Sequence, residues 1–303
     1  MPPQLTYSPR RPEDFREWTF ETLDVDYHAA SQSLWMYYKA EAPPYYSFQT
    51  LIDMADVRES LRGLFASPLI DLYPVRYFVM ASRKPGVFKL GGDLNMFSDA
   101  IRAGDGETLR AYAHACIDVV HGLSSAFGLP VVTLGAIAGQ ALGGGLESAI
   151  GMDYVLAEET AKLGVPEVSF NTFPGMGAVS LLSRRLGSAK AEELIASGKV
   201  YSGRQMYDMG VVDILAPDAQ AKETAITWMS EGGAERHARR YAIAQARRRL
   251  FPVANDELMQ ITDLWVECSL DVTPHDIRHM ERLAAAQKRL DAAVSDPSAL
   301  ASG

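Results

Sequence analysis

Residues 135–147 read GAIAGQALGGGLE, and the reading of this stretch decides the fold. The run 131–137 is apolar and strand-like, bounded by turn signals. It feeds a loop that ends in Gly143-Gly144-Gly145 and then a carboxylate, Glu147. Glycines let a backbone turn sharply and let a ligand come close to its N–H groups. If a helix starts here, those N–H groups are free donors at the positive end of its dipole. Glu147 follows Gly144 by three residues, the helical spacing that puts it on the face of that first turn. A backbone donor beside a carboxylate is a chemical arrangement. A glycine-cushioned helix packed on a strand fits this stretch equally well.

On the N-terminal side, WTFETLDVDY (18–27) and SLWMYYKA (33–40) are rich in β-branched and aromatic residues and predict two strands joined by a short polar turn. Residues 48–65 place Leu51, Ile52, Met54, Val57, Leu61 and Leu64 at the spacing of an amphipathic helix. A strand is expected at 75–82, then a glycine-containing loop, then a long helix over 107–127 closed by Gly128 and Pro130. Past the glycine stretch, 152–159 predicts a strand and 162–177 a loop punctuated by Pro and Gly. Three short helices (177–187, 188–198, 202–210) and a short strand (211–216) follow. From 218 onward the pattern is helical, with segments near 218–231, 234–249, 255–270 and 274–293. Strands alternating with helices predict an α/β core. The expected organisation is an N-terminal arm rich in Pro and Arg (1–15), a core (16–217), a helical C-terminal region (218–293) and a polar tail (294–303).

Composition narrows the function classes. Apolar residues are 48% and charged residues 22%, ordinary for a soluble globular chain. Lys and Arg number 29 against 38 Asp and Glu, a net charge of −9, which argues against a general nucleic-acid binder. Cys116 and Cys268 form no CxxC, so neither a disulfide framework nor a zinc site is expected. The start has no apolar signal region, and no run approaches the ~18 apolar residues of a membrane span; a cytoplasmic protein is expected. Walker, GxGxxG, GxSxG and HExxH patterns are missing. His275 and His279 stand four apart on an expected helix with no third ligand evident, which suits surface residues better than a metal site. The basic clusters at 184–185, 239–240 and 247–249 fit a solvated helix face, or a dock for an acidic partner or substrate phosphates.

Two other places compete for chemistry. Leu90-Gly91-Gly92-Asp93 follows a strand; it can present a backbone N–H, or be a plain turn whose Asp93 caps the next helix. In Val165-Pro166-Glu167 the proline holds Val165 extended and so directs the approach to Glu167, itself either functional or a solvated capping residue.

In combination these pieces are specific. LGGDL (90–94), GQALGGGLE (139–147) and GVPEVSFNTFPGMGAVS (164–180), in this order, resemble the crotonase (enoyl-CoA hydratase/isomerase) superfamily across roughly residues 18–290. The resemblance implies a spiral of ββα units with a helical C-terminal trimerisation region, often paired into a hexamer. It implies that the N–H groups of Gly92 and Gly144 hold a thioester carbonyl and that Glu147 and Glu167 act as acid and base. Leu90, Gly91 and Gly143 are then expected at the substrate. Apolar residues of the helical tail, including Trp265, Ile277 and Met280, would wall an acyl-chain tunnel.

The sequence departs from usual hydratases in reading LGGD for AGAD. FNTFPGMGA, ITDLWV (261–266) and MERLAAAQKR (280–289) look closest to the diffusible signal factor (DSF) synthase branch. That branch dehydrates 3-hydroxyacyl-acyl carrier protein to a cis-2-enoyl thioester and hydrolyses it to a free fatty-acid signal, and is associated with a sensor kinase. The alternatives are an enoyl-CoA hydratase of fatty-acid metabolism and a non-enzymatic, partner-binding relative. The substrate would arrive on acyl carrier protein or CoA, with no further cofactor and no metal.

Overall fold

The computed structural model describes residues 6–295. Its strands are β1 (Leu23–His28), β2 (Ser33–Tyr38), β3 (Tyr77–Ser82), β4 (Val87–Lys89), β5 (Val132–Ile137), β6 (Gln140–Leu142), β7 (Tyr154–Glu158), β8 (Lys162–Gly164), β9 (Val200–Ser202) and β10 (Ile214–Ala216). They form two sheets, one of six strands in the order β1-β2-β3-β5-β7-β10 and one of four in the order β4-β6-β8-β9. In the large sheet only the β1–β2 pair is antiparallel. Strands β3 and β5 are buried nearly throughout, which is why they read as continuous apolar runs rather than alternating ones.

The helices of the first half are α1 (Phe48–Phe65), α2 (Leu69–Leu72), α3 (Leu94–Ala103), α4 (Gly106–Ser124) and α5 (Gly144–Ile150). Those of the second half are α6 (Ala178–Leu186), α7 (Ser188–Ser197), α8 (Gly203–Met209), α9 (Ala221–Ser230), α10 (Gly233–Leu250), α11 (Asn255–Leu270) and α12 (Pro274–Ser295).

Three times the chain leaves a strand of the large sheet, turns a corner within a few residues and enters the small one: β3 to β4, β5 to β6, β7 to β8. Helices then close each turn of the spiral. The corners touch: Gln140 N donates to Gly86 O at 2.9 Å. A Cβ on Gly139 (φ +82°) would stand 2.2 Å from the Gly86 carbonyl, so this corner needs a residue without a side chain. One face of the large sheet packs with α1 and α4 into the main core. The other, carrying Trp35, Tyr77, Val79, Leu134 and Leu156, is covered by Ala225 and Met229 of α9.

The small sheet is the main departure from expectation. Its strands span three residues each, too few for a period-2 pattern to show, and they fall where loops are expected. The first strand begins at Leu23 rather than residue 18; Thr19 makes only a single bridge to Asp24. The described part of the arm is docked rather than loose: Ser8 N donates to Asp56 Oδ1 and Arg10 N to Ser60 Oγ, both at 2.6 Å, and Phe15 is buried. The long helix stops at Ser124, and Phe127 turns the chain at φ +61°. Residues 296–303 of the expected tail lie outside the described residues.

The arginine clusters are mostly staples. Arg184 grips Glu257, Arg185 reaches Asp213, Arg248 grips Asp153, and Arg240 lies over Trp228 at 3.7 Å. Among the described residues no helix is long and apolar enough to cross a membrane.

Candidate active site

The β5–β6 corner delivers the glycine stretch. After β6 the chain turns at Gly143 (φ +51°, ψ −127°), a conformation open to glycine, and enters α5 at Gly144. Gly143 N donates to Gly164 O at 2.8 Å, fastening the turn to β8, whose next residues are Val165, Pro166 and Glu167. The fit is close: a Cβ on Gly143 would lie 2.3 Å from Glu167 Oε1. Pro166 opens a short 3-10 helix (Pro166–Phe170) that carries Glu167 to this point.

The second loop follows β4. Leu90 N donates to Pro44 O at 2.7 Å and Tyr46 N to Gly91 O at 2.8 Å, so the loop is held like one more rung of sheet. Asp93 accepts from Asn95 N and Met96 N and caps α3, the structural role weighed for it above. The two loops meet, for a Cβ on Gly91 would be 3.4 Å from Gly144 N. Neither Gly92 N–H nor Gly144 N–H donates to a protein acceptor among the described residues.

Tyr46 ties the two loops together. Its backbone N holds Gly91, while its hydroxyl lies 2.6 Å from Ser148 Oγ on α5. Tyr112 OH donates to Tyr46 O at 2.6 Å. No sequence motif marks this bridge, because Tyr46 lies 102 residues from Ser148 and 66 from Tyr112, and the two tyrosines read as ordinary core aromatics.

Glu147 is 1% exposed. Its Oε1 accepts from Met176 N and Ala178 N, both at 2.9 Å. Burial raises its pKa to about 7, against the pull of those two N–H groups toward the charged form. Glu167 Oε2 is shut off from solvent and has no hydrogen-bond partner among the described residues. Burial first, and then the charge on Glu147, push the Glu167 carboxyl well above the usual range. Both carboxyls are thus held toward the protonated form relative to a carboxyl in water. The Met176 and Ala178 donors lie inside the PGMG stretch of the sequence; only the fold reveals that it wraps the Glu147 carboxylate.

Both glutamates face an apolar cavity of about 230 Å³. Gly92, Gly144, Leu90, Gly91, Gly143 and Trp265 line it with them, so the structure gathers every one of these expected positions. Met280 is the exception. It is 1% exposed and packs into the main core with Ile277, and neither reaches the cavity. The wall on that side comes from Leu283, Ala286 and Gln287, the next turn of α12. The sequence predicts a helix here without saying which of its apolar positions face the core and which the cavity. Trp265 stands on α11, its ring centroid 5.2 Å from that of Phe97.

Two sheets wound as a spiral, with glycine N–H groups and buried carboxyls at the corners, define an α/β protein of the crotonase fold. Residues 73–262 match the family described as Enoyl-CoA hydratase/isomerase, and the chain belongs to that family. A curated relative from Mycobacterium leprae, "Probable enoyl-CoA hydratase echA8", is 33% identical over 176 residues, which span 54% of this chain and 63% of that protein. The chain thus spans less than two thirds of the length of the curated relatives it matches. Among solved structures, an enoyl-CoA hydratase/isomerase from Xanthobacter autotrophicus Py2 superposes with a TM-score of 0.71 at 18% identity, over 92% of this chain and 99% of that one. DspI of Pseudomonas aeruginosa gives 0.64 at 22% identity, over 78% and 84%. At these identities the solved structures speak for the fold alone.

Proposed function

We propose that the protein adds water across, or removes it from, the C2–C3 bond of an acyl-CoA thioester, as an enoyl-CoA hydratase. The observation that carries this reading is that Glu147 and Glu167 line one cavity with Gly92 and Gly144, whose N–H groups donate to no protein acceptor among the described residues. A proton next to a thioester becomes labile only when the enolate is stabilised. Two preorganised N–H donors supply that, each worth roughly 3–4 kcal/mol in rate in comparable sites. In hydration, the Glu147 carboxylate, steadied by Met176 N and Ala178 N, takes a proton from water as it attacks C3, and Glu167 delivers its proton to C2. In dehydration the roles reverse, with Glu167 as base at C2 and Glu147 as acid at the departing C3 hydroxyl.

The test is turnover of crotonyl-CoA, followed by loss of the conjugated thioester absorbance. Glu147→Gln and Glu167→Gln should each lower kcat by about 10²–10⁴-fold. Folded variants that both keep near-normal turnover would sink this mechanism.

A second reading is a DSF-type dehydratase acting on 3-hydroxyacyl-acyl carrier protein, followed by hydrolysis of the thioester. Its support is local: the three segments that resemble that branch meet at one cavity, through Met176, Trp265, Leu283, Ala286 and Gln287. In that reading the same N–H pair would hold the tetrahedral oxyanion and a glutamate would activate water. Mass spectrometry after incubation with 3-hydroxyacyl-acyl carrier protein separates the two, since only the second reading releases a free cis-2-enoic acid.

A further inference from the structure

Gln287 lies on α12, is 7% exposed and lines the cavity. Its Nε2 donates to Leu90 O at 2.9 Å. Its Oε1 is buried and has no hydrogen-bond partner among the described residues. Exchanging the amide oxygen and nitrogen is no remedy, because Oε1 would then face the Leu90 carbonyl, acceptor against acceptor. Leu90 therefore dictates the orientation of the side chain. What remains is a fixed acceptor on a side chain anchored to Leu90, itself two residues before Gly92, in a cavity whose other lining residues include Leu94, Leu283 and Ala286, which carry no side-chain donor.

A buried polar atom left unpaired is costly, and native structures contain few of them. An apolar side chain would fill this place without that cost. We infer that Gln287 is a specificity residue of the proposed thioester site, its carbonyl accepting a hydrogen bond from a donor that the substrate carries. The donor is either an amide N–H of the pantetheine arm or a hydroxyl on the acyl chain. A site built around a buried acceptor rejects an analogue lacking the donor, because binding that analogue leaves the acceptor unpaired. This inference rests on the thioester reading above.

Two ligand pairs test it by calorimetric Kd on the full chain. The first is S-(2-acetamidoethyl) hexanethioate against S-(2-acetoxyethyl) hexanethioate, in which an ester oxygen replaces the amide N–H. The second is S-(3-hydroxyhexyl)-CoA against S-hexyl-CoA, thioethers that cannot form an enolate. In one pair the donor-bearing ligand should bind the wild type about tenfold tighter, and Gln287→Met should reduce that preference to less than about twofold. The pair that responds names the donor. Gln287→Leu serves where Gln287→Met does not fold. A disturbed Leu90 loop would weaken both members of a pair alike and leave their ratio unchanged. Wild type that binds the ligands without preference in either pair, or a preference that survives in the variants, overturns the role of Gln287 alone. Wild type that binds none of the four overturns the thioester reading with it.

Discussion

Glu147 and Glu167 are more comfortable protonated in the folded chain than in water, and that has a thermodynamic sign. An acid whose pKa rises from 4.5 to about 7 on folding binds more protons folded than unfolded across that window. Stability therefore falls as pH rises from about 4.5 to about 7, and Glu167, pushed the same way, extends the fall upward. Glu147→Gln keeps an oxygen for Met176 N and Ala178 N but has no charge to bury. Each glutamine variant should flatten this fall and raise Tm at about pH 8, while losing the hydration activity proposed above. Thermal denaturation from about pH 5 to pH 8 checks it; an unchanged slope in both variants would mean that the pair does not titrate in the folded chain. Tyr46 is the other residue to test. Tyr46→Phe removes the hydroxyl bridge to Ser148 and leaves the ring and the backbone rung to Gly91. Misplacing a donor acts on the transition state more than on substrate, so kcat should fall about tenfold with KM within about twofold. Unaltered kcat would show that the bridge does not set the spacing of the two N–H groups.

Helix α12 has two faces with different duties. Ile277, Met280 and Ala284 are buried in the core, while Leu283, Ala286 and Gln287 form cavity wall. Substitutions on the two faces should separate cleanly. Ala286→Phe fills the cavity and should shorten the preferred acyl chain at little cost in Tm, read from kcat/KM over a series of enoyl-CoA lengths. Met280→Ala empties a core site and should cost roughly 2–5 kcal/mol of stability while leaving the chain-length profile in place. A shifted profile in Met280→Ala, or none in Ala286→Phe, would contradict the assignment of faces. The two glycine turns carry a double demand each: a positive φ together with the approach of Gly86 at Gly139, and a positive φ together with the Glu167 carboxyl at Gly143.

Across the molecule, the helical second half is stapled to the sheets by charge as well as by apolar packing. Asp153 is 8% exposed, accepts from Thr133 N at 2.9 Å and is gripped by Arg248 of α10. Removing the arginine strands a buried carboxylate. Arg248→Ala should therefore cost about 3–5 kcal/mol, seen as a lower denaturation midpoint. A loss under about 1 kcal/mol would place this pair with weak surface bridges instead. Of the four catalytic candidates, Gly92 precedes Gly144 by 52 residues and Glu167 follows Glu147 by 20, yet all share one cavity, because successive turns of the spiral stack their corners.

Long buried strands and amphipathic helices were legible because their periods repeat often enough to be seen: β3 and β5 as unbroken apolar runs, α1 through its spaced leucines. Candidate positions such as Gly92, Gly144, Glu147 and Glu167 were legible because glycine at a strand end and carboxylate at helical spacing are local signals, joined here by a family resemblance in their order. Short-range chemistry stops there. The three-residue strands of the small sheet owe their existence to neighbours in space, so no pattern announces them. The protonation of the glutamates depends on burial and on Met176 and Ala178 N–H groups some thirty residues away from Glu147. That Gln287, rather than Met280, meets the cavity depends on how α12 is rotated against α3. Sequence alone determined which residues were able to do the chemistry; only the tertiary structure decided which of them face one another, because desolvation and hydrogen bonding act through space.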